Sequence, residues 1–385
     1  MKILIAPDSF KESLTAQEAA DAVECGLKKA LPDAEYVKVP MADGGEGTVQ
    51  SLLDATGGRR QTVDVCAPLG DRVAASFGLS GDGKTAFIEM AAASGLHLVP
   101  HEKRNPLITT SYGTGELIRA ALEAGVGKII LGIGGSATND GGAGMLQALG
   151  ARLLDVDGTE LPPGGAALAG LARIDLSGLD ACLKEVAVEV ACDVDNPLCG
   201  EQGASAVFGT QKGATPQMVA ELDAALNRFA HIVERDSGIS IAHHPGAGAA
   251  GGMGGGLFLL PNACLKSGVE IVMEAVGLAE KIKDADWVIT GEGRMDGQSV
   301  RGKTPAGVAK LAKRFGKPVI AIVGSLGDDY AAVYDAGIDA VFPIIRSVGS
   351  LEETLRQARA NLIASAENVG RLYLAVSGTN RYSKP

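Results

Sequence analysis

Strands and helices alternate at both ends of this chain, and the alternation restricts the possible folds more than any other feature. A short predicted strand at residues 2–6 precedes a helical pattern at residues 15–31, and a second strand and helix follow by residue 55. Thr15 and Glu18 have the spacing of a capping box at the start of the first helix. A β-α-β-α order of this kind is typical of a parallel sheet covered by helices.

The C-terminal part repeats this order, whereas the middle does not. Residues 64–90 indicate antiparallel strands with turns at Gly70 and Gly81. We therefore predict an α/β protein with a Rossmann-like parallel-sheet domain formed by residues 1–65 and 270–385. A second α/β domain, residues 66–269, would be inserted into it, with the active site in the cleft between them. Further predicted elements are strands at 128–132, 151–155, 185–191, 287–290, 318–323 and 340–343, and helices at 305–315, 328–336 and 351–374.

Composition and charge exclude several classes of protein. The formal net charge is −11 and no long run of Lys or Arg is present, which argues against a nucleic-acid partner. The six cysteines form no CxxC pair, which favours reduced thiols in the cytoplasm. No stretch is long and apolar enough to span a membrane, and the first apolar run is too short for a signal peptide. We expect a cytoplasmic protein with small-molecule ligands; the sequence gives no oligomeric state.

Glycine, with 53 residues, collects in short loops, and one of these loops has the features of an anion site. The predicted strand 128–132 leads into residues 134–142, and a helical run follows. Free backbone N–H groups, two hydroxyls and a helix N-terminus together predict phosphate binding. The residues assigned to this phosphate loop are Gly134, Gly135, Ser136, Ala137, Thr138, Asn139, Asp140 and Gly141.

Two textual matches to nucleotide motifs lack the context that such motifs need. Residues 297–304 fit the P-loop pattern, but the preceding strand is predicted to end at Thr290, so Gly297 does not follow it directly. Lys303 is retained as a candidate for nucleotide contact. Residues 246–251 fit a dinucleotide fingerprint, but the helix that should follow would contain four glycines. That segment is either a flexible loop or a glycine-lined wall beside a ligand.

Three loops that follow predicted strands carry carboxylates, and they contain Asp43, Asp193 with Asp195, and Asp296. A single acidic loop would be an ordinary turn, but three favour metal-assisted chemistry. Mg²⁺ prefers one or two carboxylates together with phosphate oxygens. In an extended D-x-D segment both side chains point to one face, so we predict Asp193 and Asp195 as Mg²⁺ ligands.

Seven short stretches of the sequence, taken together and in this order, resemble the motifs of one protein family. They are residues 6–13, 41–48, 111–116, 132–142, 192–197, 208–213 and 290–296. In these stretches the chain resembles the bacterial type I glycerate kinases. The resemblance implies a Rossmann-like domain with an inserted α/β domain, ATP and Mg²⁺ as co-reactants, and D-glycerate as the substrate. It further implies 2-phosphoglycerate as the product.

Phosphoryl transfer requires positioning of the reactants and neutralisation of charge. The residue types in the matched stretches suggest which side chains supply each. Asp43 or Asp296 would accept the proton of the attacking hydroxyl. Lys11, Arg294 or Lys303 would hold the carboxylate of glycerate or stabilise the transferring phosphoryl group.

Other functions are also compatible with the sequence. A glycerate 3-kinase or a kinase of a related hydroxy acid is the nearest alternative. An NAD-dependent oxidoreductase and a non-catalytic carboxylate-binding protein are alternatives of other classes. Release of ADP with and without glycerate would separate these classes.

Overall fold

The computed structural model describes residues 1–42, 47–300 and 302–377, and it contains each predicted strand to within a few residues, together with four short strands that were not predicted. The strands are β1 (Lys2–Ile5), β2 (Glu35–Lys38), β3 (Arg59–Cys66), β4 (Arg72–Leu79), β5 (Thr85–Glu89), β6 (Lys128–Gly132), β7 (Arg152–Leu154), β8 (Arg173–Asp175), β9 (Ala187–Ala191), β10 (Ala263–Lys266), β11 (Trp287–Thr290), β12 (Arg294–Met295), β13 (Val319–Val323), β14 (Ser325–Leu326) and β15 (Ala340–Pro343).

Helices connect most of these strands. They are α1 (Ala16–Ala30), α2 (Thr48–Thr56), α3 (Ala91–Ser94), α4 (Tyr112–Glu123), α5 (Ala143–Ala148), α6 (Ala204–Phe208), α7 (Pro216–Ser237), α8 (Met253–Leu257), α9 (Gly268–Ala275), α10 (Leu278–Lys283), α11 (Thr304–Arg314), α12 (Ala332–Asp335), α13 (Leu351–Arg356) and α14 (Ala358–Val376). Within the described ranges, no helix has the length and apolar character that a membrane crossing requires.

The chain divides into two compact units. Unit 1 comprises Met1–Asp43 and Val269–Pro385, and unit 2 comprises Gly44–Gly268. The first division therefore precedes the predicted crossing near residue 65, because α2 packs against β4 and β5 and because β3 pairs with β4. The second division lies beside the predicted one at residues 269–270. That the two units are the predicted domains, with an active-site cleft between them, stays a prediction.

Unit 1 contains a fully parallel sheet with the strand order β15-β13-β11-β1-β2. The chain adds β2 on one side of β1 and the later strands on the other, so the strand order reverses between β1 and β11. Ile5 near the end of β1 lies opposite Ile289 near the end of β11. Ligands of open α/β sheets bind beyond the carboxyl ends of the strands at such a switch point. The predicted α/β class with a parallel sheet is confirmed.

Helices α1 and α14 pack against each other in this unit. A Cβ atom at Gly26 would lie 2.2 Å from the carbonyl oxygen of Ile363, so only glycine permits this approach. The predicted capping box is present, because Thr15 and Glu18 each bond to the other's backbone. The predicted helix over 351–374 is instead two helices, α13 and α14. Helix α13 has no fully buried residue and ends at Arg356, and α14 begins at Ala358.

Unit 2 contains a mixed sheet with the order β10-β9-β6-β5-β4-β3. Strands β3, β4 and β5 are antiparallel, as predicted, whereas β5, β6, β9 and β10 are mutually parallel. The ends of the parallel strands are in register, with Glu89 opposite Gly132, Gly132 opposite Ala191, and Ala191 opposite Lys266. The phosphate loop and the Asp193–Asp195 loop therefore leave neighbouring strands at the same edge of the sheet.

Candidate active-site regions

In unit 1, two loops meet where the strand order reverses. The backbone N–H of Asp8, after β1, donates to the carbonyl oxygen of Gly291, after β11, at 2.8 Å. The hydroxyl of Thr290 donates to the carbonyl oxygen of Ala6 at 2.9 Å. A Cβ atom at Gly291 would lie 2.0 Å from the carbonyl oxygen of Ile322, so only glycine fits at this position. These contacts fix the backbone from which the next side chain, Glu292, projects.

Glu292 is only 7% exposed and is the centre of a polar cluster. The hydroxyl of Ser299 donates to its Oε1 atom at 2.6 Å. The same hydroxyl accepts a hydrogen bond from the N–H of Asp296 at 3.1 Å. The Nζ atom of Lys303 lies 3.9 Å from Oε2. Together with Asp8, these residues are called the Glu292 cluster.

Asp8 connects this cluster to helix α11. Its Oδ2 atom accepts a hydrogen bond from the hydroxyl of Thr304, the first residue of α11, at 2.7 Å. Its Oδ1 atom accepts the N–H of Ser9 at 2.6 Å. Residues that are far apart in sequence therefore meet at the switch point.

The pKa of Glu292 is raised to about 7, and burial is the main cause. The hydrogen bond from Ser299 and the charge of Lys303 oppose the rise, whereas the charges of Asp8 and Asp296 add to it. Glu292 was not among the predicted site residues, although it lies in the recognised stretch 290–296. The available signal was its position as the first carboxylate after a buried strand.

The predicted residues of unit 1 lie in or beside this cluster. Arg294 is exposed, and its Nε atom lies 3.6 Å from Oδ2 of Asp296. Lys11 is exposed on the loop after β1. Lys303 faces Glu292. Asp43, the other predicted proton acceptor, lies outside the described residues.

Residues 297–304 lack the structural context of a P-loop, in which a buried strand leads directly into the first glycine. Strand β11 ends at Thr290, and the two-residue strand β12 nearer to Gly297 belongs to a separate two-stranded sheet and has Arg294 exposed. No strand of the parallel sheet therefore runs directly into Gly297. What the segment supplies instead is the pair of residues that face Glu292, namely Ser299 and Lys303.

In unit 2, most of the predicted phosphate loop is buried, and its carboxylate, that of Asp140, accepts hydrogen bonds from other residues of the protein. The Oδ2 atom of Asp140 accepts the N–H and the hydroxyl of Ser111, both at 2.8 Å, and the N–H of Gly144 at 3.3 Å. Its Oδ1 atom accepts the N–H of Gly142 at 3.2 Å. Burial raises the pKa of Asp140, and these hydrogen bonds oppose the rise. The N–H groups that were expected to bind phosphate at the start of α5 are therefore occupied by Asp140.

Lys212 lies buried behind the same loop. Its Nζ atom donates to the carbonyl oxygen of Thr138 at 2.7 Å. Burial lowers the pKa of Lys212 to about 7, and the charge of Asp140 opposes this fall. The amide of Asn139 donates to the hydroxyl of Ser205 at 2.9 Å. Sequence inspection assigned no role to Lys212, because nothing local shows that a lysine is buried.

The exposed part of the predicted phosphate loop is its first turn, where Gly134 and Gly135 reach solvent. Asp193 and Asp195 are exposed after the neighbouring strand β9. The Oδ1 atom of Asp193 accepts the N–H of Gly268 at 3.1 Å. The described part of the chain contains no group of three or more His, Cys, Asp or Glu side chains arranged to hold a metal ion.

The glycine-rich segment that fits a dinucleotide fingerprint packs inside unit 2. A Cβ atom at Gly251 would lie 1.9 Å from the carbonyl oxygen of Thr138, and its own carbonyl accepts the N–H of Gly141 at 3.0 Å. The helix that follows, α8, has only five residues. The glycines therefore permit close backbone packing behind the phosphate loop, and a flexible loop is the wrong interpretation.

Comparison with known proteins identifies the family. The model of the glycerate kinase family matches residues 3–374. The chain belongs to the glycerate kinase family. It is 65% identical to a glycerate kinase of Haemophilus influenzae, over 97% of this chain and 98% of that protein. It is 57% identical to the glycerate 2-kinase of Escherichia coli, over 96% and 97% of the two chains.

A solved structure from Salmonella typhimurium LT2, assigned as glycerate kinase 2, has the same fold. It is 56% identical, covers 98% of this chain and 99% of its own, and superposes with a TM-score of 0.90. The recognised resemblance is thus confirmed, and the protein is a kinase with glycerate kinase activity. The oxidoreductase and the non-catalytic binding protein are set aside as alternatives. Membership of a kinase family implies ATP as the co-substrate of glycerate kinase chemistry.

Proposed function

We propose that this glycerate kinase transfers the γ-phosphoryl group of Mg²⁺-bound ATP to the 2-hydroxyl of D-glycerate. The choice of the 2-hydroxyl rests on one observation, which is the 57% identity with the glycerate 2-kinase of Escherichia coli over nearly the whole chain. The reaction would take place in the cytoplasm.

Magnesium would arrive with ATP, and the unit 2 sheet edge has donors of the right chemistry for it. Mg²⁺ in phosphoryl-transfer sites takes one or two protein carboxylates and completes its octahedron with phosphate oxygens and water. Asp193 and Asp195, exposed after β9, are the proposed carboxylates. When bound, the ion would neutralise charge on the phosphates. Gly134, Gly135 and Ser136, after the neighbouring β6, are the proposed phosphate contacts, with solvent-facing backbone at Gly134 and Gly135.

The substrate side of the reaction is proposed for the unit 1 switch point. Glycerate carries a carboxylate, and Lys11 presents an exposed cation after β1 to hold it. Arg294 and Lys303 are the other candidates, but each faces a carboxylate of the protein. Asp43 and Asp296 remain candidates for the proton acceptor, and Glu292 is a third.

The position of the new phosphate ester tests the proposal. Phosphorus on the secondary 2-oxygen couples to one proton and gives a doublet in a proton-coupled ³¹P spectrum, whereas phosphorus on the primary 3-oxygen couples to two protons and gives a triplet. We expect a doublet when protein, ATP, Mg²⁺ and D-glycerate are combined. A triplet would establish the 3-kinase alternative. ADP formation that survives complete removal of divalent cations would refute the role of Mg²⁺.

A further inference from the structure

We propose that Glu292 is the carboxylate that accepts the proton of the attacking glycerate hydroxyl, and that Ser299 holds it in position. The inference rests on the proposed function, because it assumes that glycerate is bound at the unit 1 switch point. It departs from the sequence-based candidates, Asp43 and Asp296.

The side chain of Glu292 is placed at the switch point by anchored strand ends. Glu292 follows Gly291 directly after β11, beside the loop that follows β1. Its own carbonyl oxygen accepts the N–H of Gly324 at 2.9 Å, so its backbone is anchored to the end of the adjacent strand β13 as well. A proton acceptor must be held within a fraction of an ångström of its productive position, and anchored strand ends provide that precision.

The two carboxylate oxygens of Glu292 differ in their hydrogen bonds. Oε1 accepts the hydroxyl of Ser299, which in turn accepts the N–H of Asp296, so the proton of Ser299 is directed towards Glu292. Oε2 accepts no hydrogen bond from any residue in the described ranges, and Lys303 Nζ at 3.9 Å is beyond hydrogen-bonding distance. The side chain is 10% exposed. One oxygen is therefore fixed, and the other retains lone pairs for a substrate hydroxyl.

The charges and the burial around Glu292 also suit a proton acceptor. A general base works best when its pKa lies near the working pH, and the pKa of Glu292 is raised by burial to about 7. Ser299 and Lys303 oppose this rise, and Asp8 and Asp296 add to it. Asp296 is the weaker candidate on geometry, because its Oδ1 atom accepts the N–H of Gln298 at 3.0 Å and its Oδ2 atom faces Arg294.

The proposed step balances in atoms and charge. The hydroxyl O–H bond breaks as the oxygen forms a bond to the γ-phosphorus, and the proton moves to Oε2 of Glu292. The bond between the γ-phosphorus and the bridging oxygen breaks, and ADP leaves with its electron pair. Glu292 then releases the proton to water, which gives phosphoglycerate, ADP and one proton.

Single-turnover rates and the pH dependence of kcat/KM for glycerate test the proposal. We expect Glu292→Gln to lower the single-turnover rate by about 10² or more, the range typical of general-base removal. The wild type should lose activity below pH about 7, with an acidic limb that is absent in Glu292→Gln. Glu292→Asp, which keeps a displaced carboxylate, should keep the limb and part of the rate. Glu189→Gln is the control for the loss of a buried carboxylate elsewhere. Glu189 is 9% exposed but lies within β9, where it pairs with Lys128 and Lys266, and the acidic limb of this variant should be unchanged.

Substitutions of two neighbours of Glu292 should shift the acidic limb of the pH profile in opposite directions. A merely structural role of Glu292 would not produce such shifts. Ser299→Ala removes a hydrogen bond that lowers the pKa of Glu292, so the limb should move to higher pH. Asp8→Asn removes a charge that raises it, so the limb should move to lower pH. These shifts decide the question even where Glu292→Gln fails to fold.

A Glu292→Gln rate within about threefold of the wild type, or a limb unmoved in both neighbouring variants, would overturn the proposal. The product's ³¹P multiplet is independent of this test. A 3-phosphate product would therefore refute the proposed function and leave the assignment of Glu292 to be judged on its own rates.

Discussion

Asp140 in unit 2 and Glu292 in unit 1 are both buried carboxylates in loops that follow parallel strands, yet their oxygens are used differently. Both oxygens of Asp140 accept hydrogen bonds from the protein, and the partners include two helix-entry N–H groups and Ser111. Glu292 has one oxygen bonded by Ser299, while the other accepts no hydrogen bond from the described residues.

The lysines beside them differ in the same way. Lys212 is buried and donates to a backbone carbonyl, whereas the side chain of Lys303 is 35% exposed and lies 3.9 Å from its carboxylate. A carboxylate whose two oxygens both accept hydrogen bonds from the protein supports the fold, because no lone pair remains for a ligand. One whose capacity is half used can still bind or accept a proton. The comparison therefore favours a structural role for Asp140 and agrees with the proposed proton-acceptor role of Glu292.

The largest expected effect is on the stability of unit 2. Asp140→Asn would turn an NH₂ group towards groups that are themselves donors and would remove the charge that acts on buried Lys212. We expect the free energy of unfolding to fall by about 3–5 kcal/mol, as when one partner of a buried charged network is removed. Urea unfolding followed by far-ultraviolet circular dichroism measures it.

The same substitution at exposed Asp195 is the control, with a change within about 0.5 kcal/mol. A loss below about 1 kcal/mol for Asp140→Asn would break the comparison, because the carboxylate would then not be needed for the fold.

Next in size is the kinetic effect of the proposed Mg²⁺ ligands. Asp193→Asn and Asp195→Asn keep side-chain size but remove a charge. At least one should lower kcat by about 10²-fold and raise the Mg²⁺ concentration needed for half-maximal rate. A Mg²⁺ titration of activity measures both effects, with thermal melts expected to change little.

Asp157→Asn, at an exposed turn beside β7, should leave both quantities unchanged. Wild-type values in both Asp193 and Asp195 variants would remove these residues from the metal role.

Glu292→Gln should affect stability with the opposite sign to Asp140→Asn. The folded pKa of about 7 lies above the ordinary value of 4.5, so the stability that this carboxyl contributes is full below pH 4.5 and is lost as pH rises through 7. Glutamine cannot ionise and avoids the loss. We expect a gain of about 1–3 kcal/mol at pH 8, and near equality at pH 4.

Urea unfolding at the two pH values makes this measurement. A loss of stability at pH 8 would show that Glu292 supports the fold as Asp140 does, and the distinction between the two carboxylates would fail.

The smallest effect is expected from Lys303→Ala. Its partly exposed pairing with Glu292 contributes about 0–1 kcal/mol to stability. Because no strand of the parallel sheet leads directly into Gly297, Lys303 does not have the context of a P-loop lysine, and the affinity for ATP should change by less than about tenfold, or 1.4 kcal/mol. Calorimetric titration with ATP tests this. Abolished binding by a folded variant would restore the P-loop interpretation.

The sequence by itself determined most of the strands to within a few residues, whereas the 22-residue helix α7 and strand β10 were not predicted. Strands β6, β11 and β15 begin and end where the pattern predicts, and the capping box of Thr15 and Glu18 forms as predicted. These features are local, because hydrophobic spacing and a cap depend on residues within a turn or two. The order of the family motifs likewise pointed to glycerate kinase before any fold was known.

Tertiary structure alone decided which polar residues are saturated and which remain available. Asp140 was predicted to help bind phosphate, but its carboxylate accepts two hydrogen bonds from Ser111, which lies in another loop. Glu292 acquires its raised pKa from burial, and Asp8, which adds to it, is joined to Thr304 across 296 positions of sequence. The first division of the chain, at Asp43, was fixed by the pairing of β3 with β4. Burial and hydrogen-bond saturation depend on segments that are distant in the chain, so a local pattern cannot encode them.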